Sequence, residues 1–242
     1  MFILHDKRLP REYKDALSYA FRGVRLLPFD SGRKKREGNA YASIEHHPDI
    51  YFFKLDTNTI IHAPLVDETY LSSFTEGGIE LIPGSRDPGK SYPDTAGYNA
   101  ASLGRTLFHN LLYTDPVITE NAKNKKFELI NVNQGYTRCS SVTVGDSGLI
   151  SSDKGINTRA KVAGKDVLRI SPGSVLLPGE SGGFLGGASG VFNDGDVVFL
   201  GDLDLHECGQ DIRDFIAKHG KKCVELKKLP LLDVGTILMW EG

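Results

Sequence analysis

Internal repetition constrains this chain more than any other feature. Five short apolar runs look alike: VRLLPF (24 to 29), IELIP (79 to 83), FELINV (127 to 132), VLRIS (167 to 171) and VELKKL (224 to 229). Each is followed by a small-residue loop and a second segment, and those segments also resemble one another. GYNAASLGRTLFHNLLYTDP starts at Gly97, GYTRCSSVTVGDSGLISSDKG at Gly135 and GFLGGASGVFNDGDVVFLGDL at Gly183. Each reads as Gly and an aromatic residue, a small-residue strand, a turn, a β-rich strand and an Asp. EHHPDIYFFKLDTNTIIHAP, from Glu45, is a weaker copy, and LPLLDVGTILMWEG, from Leu229, is a copy cut off by the C-terminus. One supersecondary unit is being reused.

The turns agree. GDSG, NDGD and LDTNT lie between apolar strands and carry hairpin chemistry. Helical patterns follow the hairpins: VDETYLSSF after Leu65, and GQDIRDFIAKHG after Cys208. The second has Ile212, Phe215 and Ile216 on one face and Gly220 to end it. The truncated copy has a hairpin and no helix. The N-terminus supplies the missing parts: FILHD, the helical REYKDALSYAFRG, then VRLLPF. Joining the two ends completes a fifth β-β-α-β unit. A closed ring needs its ends to match in this way; an open solenoid does not. The expected fold is an α/β propeller in one domain, residues 1–242. Its units run roughly over 24–83, 84–132, 133–171, 172–228, and 229–242 plus 1–23.

Bulk properties narrow the function. With 40% hydrophobic and 25% charged residues the chain is ordinary for a globular protein. A net charge of −2 predicts neither a nucleic-acid nor a membrane partner. The one basic cluster, Arg33-Lys34-Lys35-Arg36, sits in a Gly-rich loop and reads as solvated. The N-terminus is too short and too soon charged for a signal peptide. No run approaches the roughly 18 apolar residues of a membrane-spanning helix. Three cysteines, Cys139, Cys208 and Cys223, fit a reducing cytoplasm better than a disulfide framework. Their spacing suits no zinc site, and no metal or cofactor is expected.

One motif points elsewhere. GSRDPGKS (84 to 91) follows the strand-like IELIP and matches the phosphate-loop pattern. A phosphate loop works because a helix begins at its Gly-Lys-Ser and aims N–H groups at the phosphates. Here Pro93 and Gly97 fall within the first two turns after it, which disfavours that helix.

Five circularly closed β-β-α-β units resemble the pentein fold of the guanidine-modifying superfamily. That superfamily holds arginine and agmatine deiminases, dimethylarginine dimethylaminohydrolase and amidinotransferases, together with a non-catalytic ribosome anti-association factor. The phrases NQGYTRCSSVTV, SSDKGI, GGFLGGASG and GDLDLH resemble an uncharacterised bacterial family within it. The resemblance implies that the small-residue strand of each unit lines a central channel. Laying the copies on Cys139 then brings Asp49, Ala101, Gly187 or Ala188, and Asp233 to the channel mouth, with His46 and His47 just before Asp49. The resemblance further implies a Cys/His/Asp set acting on a small guanidine-like molecule, by hydrolysis or amidino transfer. Cys139 would be the nucleophile and His47 the acid/base. Asp49 and Asp233 would pair with the guanidinium, Glu180 would be a reserve acceptor, and Arg138 would hold a substrate carboxylate and lower the thiol pKa. In the family's enzymes the nucleophile usually lies in the last unit, whereas Cys139 lies in the third. The alternative is a non-catalytic pentein-fold binding protein, marked by a plugged channel and a buried Cys139.

Overall fold

The computed structural model describes residues 1–33 and 41–240. From Lys34 onward the basic cluster lies outside the described residues. In chain order the elements are β1 (Phe2–Asp6), α1 (Arg11–Ala20), β2 (Arg25–Phe29), α2 (Pro48–Tyr51), β3 (Phe52–Lys54) and β4 (Thr59–His62). Then come α3 (Glu68–Glu76), β5 (Glu80–Pro83), β6 (Ala101–Leu103), β7 (Thr106–His109), α4 (Pro116–Asn124) and β8 (Glu128–Asn131). They continue as β9 (Ser141–Val144), β10 (Gly148–Ser151), α5 (Lys154–Val162), β11 (Asp166–Arg169), β12 (Val175–Leu176) and β13 (Ser189–Val191). The last are β14 (Val197–Phe199), α6 (Gly209–Lys218), β15 (Cys223–Glu225), β16 (Leu231–Leu232) and β17 (Leu238–Trp240).

The repetition becomes five small sheets of one design among the described residues. They are β3-β4-β5, β6-β7-β8, β9-β10-β11, β13-β14-β15 and β17-β1-β2. In each, the first two strands pair antiparallel and the third runs parallel to the second. A parallel partner cannot be reached by a tight turn, so a crossover helix separates the second and third strands. The fifth sheet joins the chain ends, with Phe2 opposite Trp240 and Leu4 opposite Leu238. Because β2 pairs with β1, residues 24–29 complete this terminal sheet. The unit boundary expected before residue 24 therefore falls after Phe29.

After three of the hairpins an Asp caps the helix that follows. Asp67, Asp115 and Asp153 accept backbone N–H bonds from Thr69, Val117 and Ile156 at 2.9, 2.9 and 2.7 Å. These bonds satisfy amides that have no partner within the first helical turn. Helix α6 buries Ile212, Phe215 and Ile216, the face expected from its spacing. Burial then sorts the strands. The second strands β4, β7, β10 and β14 are fully buried, while β5 and β8 keep exposed ends. Of the first strands, β9 packs against both β6 and β13, and β13 against β17.

The phosphate-loop look-alike is a structural loop. The amides of Ser85 and Arg86 donate to the Asp115 carboxylate at 3.0 and 3.2 Å. The next helix after Lys90 among the described residues is α4. No helix among the described residues is long and apolar enough to cross a membrane.

Candidate functional site

The segments that lead into the first strands are tied to one another in sequence around the sheets. The Asp49 amide donates to the Gly235 carbonyl at 3.1 Å, and Arg138 to the Asn99 carbonyl at 2.9 Å. Gly187 donates to the Cys139 carbonyl at 3.1 Å, and Thr236 to the Gly187 carbonyl at 2.8 Å. A longer contact, Asn99 Nδ2 to the Asp49 carbonyl at 3.5 Å, completes the circle. The glycine-rich run is needed for this close approach. A Cβ on Gly186 would fall 2.3 to 2.4 Å from the carbonyl oxygens of Arg138, Cys139 and Ser141. One on Gly187 would fall 1.9 Å from Asp233 Oδ1.

Within this circle Cys139 and Asp49 meet. The Cys139 thiol donates to Asp49 Oδ2 at 2.8 Å. Asn99 holds Cys139 twice, accepting from its amide at 3.1 Å and donating to Sγ at 3.4 Å. Asn99 was not among the residues expected at the channel mouth. Laying the copies on Cys139 puts Ala101, not Asn99, at the matching position. Counted from the strands, Asn99 lies two residues before β6, just as Cys139 lies two before β9.

Burial sets the charges. Cys139 is 5% exposed and Asp49 2%. Desolvation, followed by the Asp49 and Asp233 charges, lifts the thiol pKa well above its ordinary value. Desolvation raises the Asp49 pKa to about 6, against the lowering effect of the thiol bond and Arg138. Among the described residues Asp49 Oδ1 is buried without a hydrogen-bond partner. A buried acceptor left unpaired in this way costs about 1–3 kcal/mol, and it is where a donor belongs.

The other expected site residues divide. Asp233 is buried, with a pKa raised to about 7, chiefly by desolvation. Its carboxylate takes the amides of Phe184 and Gly235, both at 2.9 Å. His47 lies between carboxylates, 3.9 Å from Asp6 Oδ2 and 3.9 Å from Asp233 Oδ1. Desolvation lowers its pKa to about 3, so the ring is neutral. Arg138 donates to the carbonyls of Ser141, Gly186 and Ser189 and to the Thr236 hydroxyl, which staples neighbouring segments. Its charge does not produce a low thiol pKa, because burial and two carboxylates outweigh it. Glu180 is exposed and accepts from the Ser43 hydroxyl at 2.7 Å, away from this cluster.

A cavity of about 540 Å³ opens beside the cluster. Its wall includes Asp49 and Arg138 and the hairpin turns at Thr57, Arg105, Asp146 and Asp194; Cys139 is not part of it. Asp49 thus contacts the Cys139 thiol and is also one of the cavity's lining residues.

Five three-stranded β-β-α-β sheets, with the first and last strands paired, give the chain a pentein-like fold. Solved structures agree. Agmatine deiminase of C. jejuni superposes with a TM-score of 0.56 at 10% identity, over 93% of this chain and 87% of that one. SxtG, an amidinotransferase from Microseira wollei in the saxitoxin biosynthetic pathway, superposes with a TM-score of 0.53 at 10% identity, over the same shares. No curated protein sequence matches the chain. The sequence matches the family of unknown function DUF6873 over residues 7–238, and the protein belongs to that family.

Proposed function

We propose that the protein binds a small planar cation of the guanidine or amidine class against Asp49, beside a Cys139 thiol held neutral. The observation that carries this reading is the divided state of Asp49. One oxygen takes the thiol hydrogen at 2.8 Å, the other is buried without a hydrogen-bond partner among the described residues, and Asp49 is one of the residues lining the cavity. A planar cation with parallel N–H donors satisfies such a carboxylate better than a point-charge ammonium does. The structural neighbours named as agmatine deiminase and amidinotransferase support the same ligand class. The circle of linker hydrogen bonds supports closure of the five sheets into a propeller, with Asp49 near its axis. All three cysteines are free thiols, which supports a cytoplasmic setting.

A second reading is a guanidine-modifying hydrolase or amidinotransferase-like enzyme. In it Cys139 is the nucleophile, His47 the acid/base and Asp233 a second clamp. One observation favours it: the thiol touches the carboxylate that would hold the cation, so a bound cation would lie near Sγ and lower its pKa. The buried thiol, its raised pKa and the position of His47 between Asp6 and Asp233 favour binding without turnover.

Thiol labelling with mass mapping separates the two readings. In the folded protein, Cys139 is expected to react more slowly with iodoacetamide at pH 7.5 than after unfolding. Methylguanidine or acetamidine at millimolar concentration is expected to raise the melting temperature saturably. Rapid, selective labelling of Cys139 by chloroacetamidine at neutral pH would establish the catalytic reading instead. No thermal shift with any guanidine or amidine would exclude both.

A further inference from the structure

Lys54 ends β3 and forms part of the cavity wall. Its half-buried ammonium donates to two neutral oxygens, Asn193 Oδ1 at 2.7 Å and the Met239 carbonyl at 3.4 Å. Among the described residues, one N–H is left over and no carboxylate lies within ion-pair distance. The other cations on the wall are engaged. Lys125 lies 2.9 Å from Asp56 and 3.8 Å from Glu80. Arg105 donates to the Lys125 carbonyl at 2.9 Å and sits over the Phe127 ring. Lys221 donates to the Asp194 carbonyl. Among the described residues the favourable charge on Lys54 comes from Asp56, already bonded to Lys125. Desolvation first, and Arg138 second, push the ammonium pKa down to about 8. A desolvated ammonium without a counter-ion is costly and calls for one.

A second observation lies on the same wall. The Ser102 hydroxyl, on β6, is buried with no hydrogen-bond partner among the described residues. An uncompensated ammonium and an unused hydroxyl donor on one cavity are the groups that recognise an oxyanion. The volume of about 540 Å³ admits a small molecule around such a group.

We propose that Lys54, with Ser102, forms an anion subsite in this cavity, which takes the carboxylate or phosphate group of a small molecule. The subsite stands apart from the guanidine reading, because it uses neither Cys139 nor the free oxygen of Asp49.

Calorimetric titration of the full chain in Tris chloride, with sodium acetate and inorganic phosphate in separate arms, tests this. One anion is expected to bind saturably with one site per chain; the stronger arm tells a carboxylate from a phosphate ligand. Lys54→Met is expected to weaken that binding by at least about tenfold, the loss of one charge-assisted hydrogen bond. The thermal shift given by methylguanidine should persist in Lys54→Met, so the two readings fail separately. If Lys54→Met does not fold, competitive acylation of the wild type decides. The bound anion should then slow acylation of Lys54 and leave that of the exposed Lys222 unchanged. Absence of binding by both anions, unchanged affinity in Lys54→Met, or unprotected Lys54 would each overturn the subsite.

Discussion

Replacing Asp115 with alanine is expected to destabilise the protein by about 3–5 kcal/mol. Asp115 is fully buried and ties the 84–91 loop to the start of α4. It caps α4 through the Val117 amide at 2.9 Å and takes the Ser85 hydroxyl at 2.8 Å. It also takes the amides of Ser85 and Arg86 and, at 3.3 Å, the Tyr98 hydroxyl. Loss of the cap is worth about 1 kcal/mol, and each buried donor left unsatisfied about 1–3 kcal/mol. For a chain of this size the change corresponds to a melting temperature lower by roughly 10 °C. Asp115→Asn keeps one acceptor oxygen and should lose less than half as much. Urea unfolding of the wild type and both variants checks the order. Equal stability of Asp115→Ala and the wild type would mean that the 84–91 loop is not held by this carboxylate.

Replacing Asp49 with asparagine is expected to weaken guanidine or amidine binding by about 100-fold. A neutral amide gives up a charge-assisted pair worth about 3 kcal/mol. In the wild type the raised pKa of about 6 sets the pH dependence. Below it the carboxyl is protonated and the cation must displace a proton. Affinity should therefore rise about tenfold from pH 5 to pH 7 and then level off; Asp49→Asn should remove that rise. Stability should move the other way. A carboxyl whose folded pKa lies above its ordinary 3.8 favours the folded state most at low pH, and that contribution is lost as pH rises through 6. Asp49→Asn should thus be more stable than the wild type at pH 8, by at most about 3 kcal/mol, and no more stable at pH 3.5. A variant that binds worse while folding better is the signature of a residue kept for binding. Thermal unfolding at both pH values, with and without methylguanidine, measures both effects.

The same substitution reports on Cys139. The Asp49 charge and its hydrogen bond both raise the thiol pKa. Asp49→Asn should accordingly speed alkylation of Cys139 at pH 8, by roughly tenfold for each unit of pKa recovered.

Much of the architecture was legible in the residues because each element is encoded within a few positions. Period-two strands, Gly- and Asp-bearing turns and an Asp before α3, α4 and α5 recur at matching intervals. The FILHD and LMW segments match because the first and last strands are one hairpin split by the chain ends. Local chemistry also marked GSRDPGKS as a loop, since Pro93 follows it too closely for a helix.

The site was legible only as a set of candidates. Cys139 and Asp49 lie 90 residues apart, and their contact depends on where each linker enters its strand. A shift of two residues replaces Ala101 with Asn99. Glu180, one loop away, turns to solvent and Ser43, while His47 settles between Asp6 and Asp233. Spacing in the sequence carries the repeat, the caps and the matching of the two ends, because those arise between neighbours along the chain. Protonation states, the unpartnered oxygen of Asp49 and the uncompensated ammonium of Lys54 come from desolvation, which exists only once distant units have packed together.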